Sequence, residues 1–408
     1  MRIQTPATAY DVVIVGGGMV GASFACALSH GLTAADISIL VVESIAPSTS
    51  PGKSPSFDAR STALSLGSSQ IYSRMGLWQH LQGVATAIHE IQISDKGRFG
   101  SARITSAEQQ VEALGYVIEN HEIGNCLNAV LDNSAGVQFF CPAAITAITP
   151  NTAGMSLQID MAGKSHALSA KLVVLADGGN SPICEKLGIS HRRESYEQQA
   201  LIANIAFEQP HKNIAFERFT DSGPLAVLPL ADNNERHRGA LVWTLRDNQV
   251  AEHLAASESE LRARLQERFG NRLGQIQHIG ERFCYPLSLS IATEQARPGL
   301  VLLGNVAHTL HPVAGQGLNL ALRDAQTLVQ ILVEANGTTA MLGSMPVLQR
   351  YLQAQQADQD RAVNFTDYTT RLFSSNNSGK ILARKFGLLA IDLVPSLRRE
   401  FARQAMGI

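Results

Sequence analysis

A glycine-rich turn near the start of the chain places the strongest limit on its fold. It has the pattern G-x-G-x-x-G, with glycines at Gly16, Gly18 and Gly21. The apolar run YDVVIV precedes the turn, small apolar residues follow it, and a second apolar run, ISILVVE, ends at Glu43. Strand, turn, helix, strand and acid in this order predict a β-α-β unit, and hence a parallel sheet that binds a dinucleotide.

Each part of this pattern has a physical role. The first glycine permits the tight turn, the second lets a pyrophosphate approach the backbone, and the third lets helix and strand pack closely. The start of the helix offers free N–H groups and a partial positive charge to the phosphates. Glu43 supplies acceptors for both hydroxyls of an adenosine ribose and disfavours a 2′-phosphate. The alternative is a glycine turn with a purely structural role.

Two further turns decide between NAD and FAD. Asp177 and Gly178 end the apolar run LVVLAD, and Asn305 follows the apolar run LVLLG. An NAD dehydrogenase has no need of such turns. FAD binds in an extended conformation, so distant parts of a chain hold its ribityl and flavin ends. We therefore predict FAD as the cofactor.

The remaining patterns complete an α/β fold. A chain of 408 residues has room for two or three domains. Alternating apolar residues between 200 and 290 predict an antiparallel sheet, and the sequence after 345 predicts helices. We expect a Rossmann-type FAD-binding domain, an inserted antiparallel-sheet substrate domain and a C-terminal helical segment. The predicted limits are 1–80, 105–188 and 286–345 for the FAD-binding domain, 81–104 and 189–285 for the substrate domain, and 346–408 for the C-terminal helices.

The totals exclude several classes of protein. A net charge of −2 gives no general attraction to nucleic acid. The five cysteines are scattered without metal-ligand spacing, which indicates a reducing compartment. His308 and His311 have no third ligand at a suitable spacing, so no metal is predicted. The chain starts without a signal-peptide pattern and has no apolar run of about 18 residues, so we expect a cytoplasmic protein.

Three stretches together resemble the flavoprotein aromatic hydroxylases, the family of para-hydroxybenzoate hydroxylase. They are the glycine turn, LVVLADGGNS, and GNVAHTLHPVAGQGLN, which is similar to the family motif G-D-A-A-H-x-x-x-P-x-x-G-Q-G-x-N. Two more stretches, FDARSTALSLGSSQIYSRMGLW and FERFTDSGPLAVLPL, are similar to the branch of that family that acts in ubiquinone biosynthesis. The resemblance covers nearly the whole chain.

The resemblance implies where several residues lie along FAD. It places Arg60 near the pyrophosphate or the flavin and Asn125 in contact with the cofactor. Asn305 replaces the usual Asp at the phosphate and ribityl hydroxyls. Pro312 and His311 are the flavin-proximal candidates. The predicted cofactor-binding residues are Gly16, Gly18, Gly21, Glu43, Arg60, Asn125, Asp177, Asn305, Gly315, Gly317, Leu318 and Asn319.

The Gly-Gln-Gly turn of the third stretch has an implied task at the flavin ring. Gly315 and Gly317 would let the backbone approach the ring, and a helix would start behind them. The N–H groups at Leu318 and Asn319 would stabilise the negative charge of the reduced flavin. A simple loop or a helix cap is the alternative interpretation of this turn.

The resemblance further implies an FAD-dependent monooxygenase. NAD(P)H would reduce the flavin in a transient visit, and O2 would then form a flavin hydroperoxide that oxidises a polyprenylated methoxyphenol. Four residues of the predicted substrate domain either line the pocket or pack elsewhere: Tyr196, Arg218, Trp243 and Tyr285. Two other functions stay open, an FAD-dependent reductase of an isoprenoid substrate and a flavin-binding scaffold of a biosynthetic complex.

The last 38 residues suggest how such an enzyme meets a lipid substrate. The segment 371–408 has seven basic and two acidic residues, whereas the whole chain is slightly acidic. Its stretch ILARKFGLLAIDLV has a broad apolar face. We therefore hypothesise peripheral contact with anionic membrane lipid, or with other ubiquinone-biosynthesis proteins. Docking of this helix on the chain's own FAD-binding domain is the alternative.

Overall fold

The computed structural model describes residues 6–32, 37–46, 60–95, 101–220, 222–233, 236–311, 315–338, 341–373 and 394–408. Within these residues the strands form three sheets of eight, nine and three strands. Helices cover the first two sheets, so the predicted α/β fold class is confirmed.

The first sheet contains the predicted β-α-β unit. Strand β1 (Ala9–Val15) leads through the glycine turn into helix α1 (Met19–Gly31), which returns to strand β2 (Ile39–Val42). Parallel pairing gives the order β19-β11-β1-β2-β8. The other strands of this sheet are β8 (Val137–Phe140), β9 (Ala144–Asn151), β10 (Gly154–Met161), β11 (Lys164–Leu175), β18 (Ala296–Arg297) and β19 (Leu300–Leu302).

Both faces of the first sheet are buried, which explains its continuous apolar runs. Val12 and Ile14 belong to one apolar core, and Val13 and Val15 belong to the core on the other side. The longer helices that contribute to the first core are α1, α5 (Asn120–Asp132), α9 (Gln316–Asn336) and α10 (Met345–Phe373).

The second sheet is mostly antiparallel, as predicted for residues 200–290. One of its faces is covered by helices α7 (Asp247–Ala255) and α8 (Glu258–Phe269), against which Trp243 is completely buried. Its strands are β5 (Glu90–Asp95), β6 (Ser101–Thr105), β12 (His191–Phe207), β13 (Ile214–Phe219), β14 (Pro224–Asn233), β15 (Arg236–Arg246), β16 (Ile276–Ile279), β17 (Phe283–Ala292) and β20 (His308–Thr309).

The third sheet lies between the other two and consists of β3 (Ser61–Ser65), β7 (Gly115–Glu119) and β4 (Thr86–Ile88). Its Val117 shares an apolar core with Phe219 of the second sheet. Helix α11 (Pro395–Met406) adds Ala402 and Met406 to the same core. The remaining short helices are α2 (Leu66–Arg74), α3 (Trp78–Leu81), α4 (Ser106–Gln109) and α6 (Pro182–Lys186).

Several details refine the sequence predictions. The strand predicted at 300–304 ends at Leu302, because Gly304 adopts a φ of +74° and begins a 3-10 turn. The helices predicted after 345 are present in the described part, but residues 374–393 lie outside it. The limits of the three domains given above are not tested by these elements and remain a prediction. Among the described helices, none is long and apolar enough to cross a membrane.

Candidate cofactor and substrate site

Three turns that are far apart in sequence follow three paired residues on neighbouring strands of the first sheet. Val15 stands opposite Leu175, and Leu175 stands opposite Leu302, in parallel register. These three residues end their strands, so the turns that follow them lie side by side at the same edge. Ligands of open α/β sheets bind beyond the carboxyl ends of the strands. This edge is therefore the candidate site for the cofactor.

Close packing forces glycine at two positions of the first turn. Gly16 has a φ of +102°, and a Cβ atom built on it would lie 2.4 Å from the carbonyl oxygen of Ala176. A Cβ atom on Gly21 would lie 2.0 Å from the carbonyl oxygen of Gly16. Gly18 is the N-cap of α1, so the N–H groups of the first helical turn point out of the helix start. This backbone can receive a phosphate.

Glu43 lies beside this turn, as the fingerprint predicts. Its Oε2 atom accepts a 2.7 Å hydrogen bond from the N–H of Gly17, and its Oε1 atom accepts one of 2.7 Å from Ile45. These two bonds fix the direction of the carboxylate. A carboxylate has about four lone-pair sites, so acceptor capacity remains for ribose hydroxyls.

The second turn carries a buried carboxyl group. The Ser181 hydroxyl donates a 2.6 Å hydrogen bond to Oδ2 of Asp177, while the buried Oδ1 atom has no partner among the described residues. Desolvation by burial raises the pKa of Asp177 above its usual range. An unpaired buried acceptor is costly, so this oxygen is suited to a hydroxyl donor of a ligand.

The third turn touches both of the others. A Cβ atom on Gly304 would lie 3.1 Å from the Val20 side chain in α1. A Cβ atom on Gly179 would lie 3.1 Å from Oγ1 of Thr309. Asn305 is exposed within this turn, and its carbonyl oxygen accepts a 3.0 Å bond from the Thr309 hydroxyl. Asn305 is therefore accessible to a ligand at the edge where the three turns meet.

Replacing Asn305 by alanine should weaken FAD binding. The predicted hydrogen bond to the ribityl or phosphate part is worth about 1–2 kcal/mol, or roughly 5- to 30-fold in Kd. Fluorescence titration of the apoprotein with FAD measures this change. Asn305→Asp is the control and should retain FAD, because the resembling family carries Asp here. Equal affinity of Asn305→Ala and the unaltered protein would refute the role.

The start of α9 is fixed to the third sheet by one side chain. Gly315, the N-cap, has a φ of +62°. Asn319 is buried, and its Nδ2 atom donates to the carbonyl oxygens of Ala63 at 3.0 Å and Gly315 at 2.7 Å. Its Oδ1 atom accepts from the N–H of Ser65 at 2.8 Å. The Asn319 side chain is thus used within the protein and holds the start of α9 rigid.

The free N–H groups of this helix start belong to its first turn. They are those of Gln316, Gly317 and Leu318, which have no partner inside the helix. A Cβ atom on Gly317 would meet nothing within 4 Å, so the space in front of it is open. Pro312, predicted at the flavin edge, lies outside the described residues.

Arg60 and Asn125 differ in how the structure places them. The Arg60 guanidinium lies 4.6 Å from the ring centroid of Tyr285, so it links the start of β3 to the second sheet. Asn125 lies on the exposed side of α5, and none of the described hydrogen bonds joins its side chain to the three turns. Contact of Asn125 with the cofactor stays a prediction.

His311 is enclosed rather than exposed at the site. Its ring packs edge-on against Tyr196 with 5.2 Å between centroids. Burial lowers the pKa of His311 to about 4, so the imidazole is neutral at physiological pH. The Tyr196 hydroxyl donates a 3.1 Å hydrogen bond to Asp367 in α10. No group of three or more metal-binding side chains occurs among the described residues.

A buried polar pair next to the site was not predicted. Nε2 of His308 lies 2.5 Å from Oδ2 of Asp324, and both side chains are almost completely buried. Nε2 of Gln359 donates a 3.1 Å bond to the same oxygen, and Gln295 donates a 3.0 Å bond to Gln359. The pair joins β20 to the third turn of α9. The sequence signal is Asp324 within an apolar helix, where a charge needs a buried partner.

The second sheet has an open face opposite the start of α9. Tyr285 lies on this face, and Arg60 above it leads directly into β3, which Asn319 binds. Four further side chains of this face are partly exposed and belong to none of the apolar cores of the described residues. They are Phe283, Ile202, Val242 and Ala226, which stand opposite one another across β17, β12, β15 and β14.

This face has the shape and chemistry of a wall for an aromatic ligand. Pockets for organic ligands are mostly apolar and carry few polar groups. Of the four residues proposed for the pocket from the sequence, Tyr285 lies on the open face. Trp243 is buried beneath the helices of the opposite face. Arg218 is two residues from Phe216 on β13, so its side chain is on that opposite face as well. Tyr196 packs against His311.

The groups at the sheet edge fit FAD. The crowded Gly16 turn and the start of α1 suit a pyrophosphate, and Glu43 suits a ribose. Asp177 has a buried oxygen that lacks a partner among the described residues. The second helix start, at Gly315, faces open space. Two helix starts at separate places match the two ends of an extended dinucleotide.

Comparison with known proteins agrees with this geometry. The ubiquinone hydroxylase UbiL of Rhodospirillum rubrum is 34% identical over 397 residues, which cover 97% of this chain and 89% of the relative. The 3-demethoxyubiquinol 3-hydroxylase of Escherichia coli is 30% identical over 400 residues, which cover 98% of this chain and 98% of the relative. The crystal structure of p-nitrophenol 4-monooxygenase PnpA from Pseudomonas putida matches with a TM-score of 0.78 at 18% identity, covering 98% of this chain and 99% of that one, and shows the same fold.

A family model described as FAD binding domain matches residues 9–363. The match begins with the first residue of β1 and ends within α10, so it contains all three turns and the start of α9. Because the match covers most of the chain and the turns have the geometry that FAD requires, the chain belongs to the FAD-binding domain family.

Proposed function

We propose that this protein is an FAD-dependent monooxygenase that hydroxylates the ring of a polyprenylated phenol in ubiquinone biosynthesis. NAD(P)H and O2 are its co-substrates. The observation that carries the proposal is the open apolar face of the second sheet, which faces the start of α9 across Arg60 and Tyr285. The names of the two bacterial relatives support a ubiquinone precursor as the substrate.

The chain's own residues bind and orient the reactants. Gly16 and Glu43 would hold the nucleotide part of FAD, Asp177 would accept a hydrogen bond from one of its hydroxyls, and the start of α9 would offer its free N–H groups to the flavin. When bound, FAD takes electrons from NAD(P)H and supplies activated oxygen. Apolar side chains such as Ile202 and Val242 position the aromatic ring and keep water away, which protects a reactive oxygen species from side reactions.

Labelled oxygen tests the reaction directly. The holoenzyme, NADH or NADPH and a farnesylated methoxyphenol are incubated under ¹⁸O2, and the product is analysed by mass spectrometry. We expect a phenol that carries one ¹⁸O atom in a new ring hydroxyl. A parallel reaction in H2¹⁸O with ordinary O2 is the control and should give an unlabelled product.

The two alternative functions give different results in the same experiment. A reductase of an isoprenoid substrate saturates the prenyl chain and incorporates no label. A flavin-binding scaffold shows no consumption of NAD(P)H that depends on the phenol. Either result would overturn the proposed hydroxylation, because each shows that oxygen from O2 does not reach the ring.

Peripheral membrane contact remains part of the proposal. Much of the basic segment 371–408 lies outside the described residues. Its final helix, α11, packs Ala402 and Met406 into the core between the second and third sheets. Lipid binding should therefore be tested with the intact chain, since removal of α11 would also expose this core.

A further inference from the structure

The row of side chains across the open face of the second sheet ends, on β13, at a charged group. Glu217 on β13 stands opposite Ala226, which continues the row through Val242 and Ile202 to Phe283. On its other side Glu217 stands opposite Ile93 of β5. Neighbouring strands are about 4.8 Å apart, so Glu217 lies about 10 Å from Val242 along this row.

Alternation along β13 confirms the direction of the side chain. Phe216 belongs to the core under α7 and α8, whereas Ala215 and Phe219 belong to the core shared with the third sheet. Side chains alternate between the two faces of a strand, so Glu217 points to the same side as Ala215 and Phe219. It therefore lies on the same side of the sheet as Ile202 and Val242, where the open face meets the core shared with the third sheet.

The environment of the Glu217 carboxyl is unusual for a charged group. Desolvation by burial is the sole cause that raises its pKa to about 7 from an ordinary 4.5. Part of the side-chain surface is nevertheless open. The carboxyl is therefore desolvated although part of the residue remains accessible. No hydrogen bond or ion pair of its carboxyl occurs among the described residues.

Three other charged groups that the described residues carry on this side are paired elsewhere or stand opposite other residues. Arg238 on β15 pairs with Glu119 of the third sheet at 2.6 Å. Arg60 lies over Tyr285. Asp95 stands at the end of β5, opposite Phe219 rather than Glu217. The other side chains opposite Glu217 are apolar, so a ligand is the natural partner for its carboxyl.

We propose that Glu217 is the catalytic residue that accepts the proton of the substrate's phenolic hydroxyl. This inference rests on the proposed hydroxylation of a phenol. Ala226, the neighbour of Glu217 in the row, is small and leaves room for a flat ring between Glu217 and Val242. The phenolic O–H bond breaks, a new O–H bond forms on the Glu217 carboxyl, and the electron pair stays on the ring oxygen. No oxidant or reductant is needed for this step.

The chemistry explains why a base is useful here. A free phenol has a pKa of about 10, so little phenolate exists at neutral pH. The phenolate is richer in electrons and accepts an electrophilic oxygen more readily. A carboxyl group whose pKa lies near the working pH is an efficient proton acceptor.

The test compares three variants of the FAD-loaded full chain. Glu217→Gln removes the base with little change of shape, and Glu217→Asp keeps a carboxyl. Glu90→Gln is the matched control, because Glu90 lies on the opposite face of β5 and pairs with Arg103 at 3.6 Å. The substrate is the farnesylated methoxyphenol, and hydroxylation is followed from pH 5 to 10. A farnesylated nitrophenol reports the bound phenolate by its absorbance.

We expect Glu217→Gln to hydroxylate about 100-fold more slowly at pH 7, the usual contribution of a positioned base. Its rate should rise with pH up to the pKa of the phenol itself, whereas the unaltered enzyme should level off above about pH 7. The fraction of bound nitrophenolate at pH 7 should fall in the same variant. Glu217→Asp should restore part of both signals, and Glu90→Gln should match the unaltered enzyme.

Thermal stability gives a readout that is independent of turnover. The pKa of Glu217 is raised in the folded state, so its stabilising contribution is complete below pH 4.5 and is lost as pH rises through about 7. Glu217→Gln should therefore melt a few degrees higher than the unaltered protein at pH 8 and at nearly the same temperature at pH 5. This result also shows that the variant is folded.

The possible outcomes separate this inference from the proposed function. If the unaltered enzyme hydroxylates the phenol and Glu217→Gln has the same rate and pH profile, Glu217 is not the base and the proposed function stands. If Glu217→Gln is slower by one factor at every pH, its role is structural and the inference fails. If the unaltered enzyme inserts no oxygen, the proposed function fails and the inference fails with it.

Discussion

Replacing Gly16 by valine should yield a protein that purifies without FAD. The backbone at Gly16 has a φ of +102°, which a β-branched residue such as valine avoids. A Cβ atom at this position would also lie 2.4 Å from the carbonyl oxygen of Ala176. The turn must then move away from the second turn at Asp177. We expect FAD binding to weaken by at least about 100-fold, or about 3 kcal/mol.

Absorbance of the purified protein near the flavin band, followed by titration of the apoprotein with FAD, measures this effect. Gly83→Ala is the control, because a Cβ atom on Gly83 would meet nothing within 4 Å. A thermal melt of the apoprotein distinguishes a lost site from a lost fold. Binding by Gly16→Val within about threefold of the unaltered protein would show that the turn does not hold the cofactor.

The buried pair of His308 and Asp324 should produce the largest loss of stability. Asp324→Ala leaves the buried imidazole without its partner and deprives Gln359 of its acceptor. Breaking a buried pair by removing one member costs about 3–5 kcal/mol in free energy of unfolding. Since this pair joins the third turn of α9 to β20, next to the third turn of the sheet edge, the variant should also bind FAD more weakly.

Guanidinium unfolding at a fixed, saturating FAD concentration is the suitable measurement, because bound FAD itself adds stability. Arg350→Gln is the control, since Arg350 and Glu334 form an exposed pair and such pairs contribute about 1 kcal/mol or less. Asp324→Asn keeps an acceptor and should lose less than Asp324→Ala. A loss below about 1 kcal/mol for Asp324→Ala would mean that the pair is not needed for the fold.

The local elements were predictable because their causes are local. The apolar run before Gly16 is continuous, as expected for a strand buried on both faces, and β1 covers it. Glycines mark the turns because the backbone there leaves no room for a side chain or needs a positive φ. The branch-specific stretch FERFTDSGPLAVLPL also became two strands, β13 and β14, that pair with each other.

Pairing between distant strands could not be predicted in the same way. Trp243 and Tyr285 are both aromatic residues in alternating strands, yet the first is buried under helices and the second lies on the open face. Register across neighbouring strands decides between these positions, and one sequence does not contain it. Glu217 was missed for this reason, because its role depends on side chains from four other strands.

Val15, Leu175 and Leu302 are neighbours in the sheet, but the ribosome synthesises them at different times. The ribosome makes the glycine turn first, but 287 residues separate Val15 from Leu302. At about 5–20 residues per second, roughly 15–60 seconds pass before the last of the three turns emerges. The strands of the second sheet from β12 to β17 are made in this interval. The three turns that bind FAD are therefore all present only after these strands of the second sheet have been synthesised.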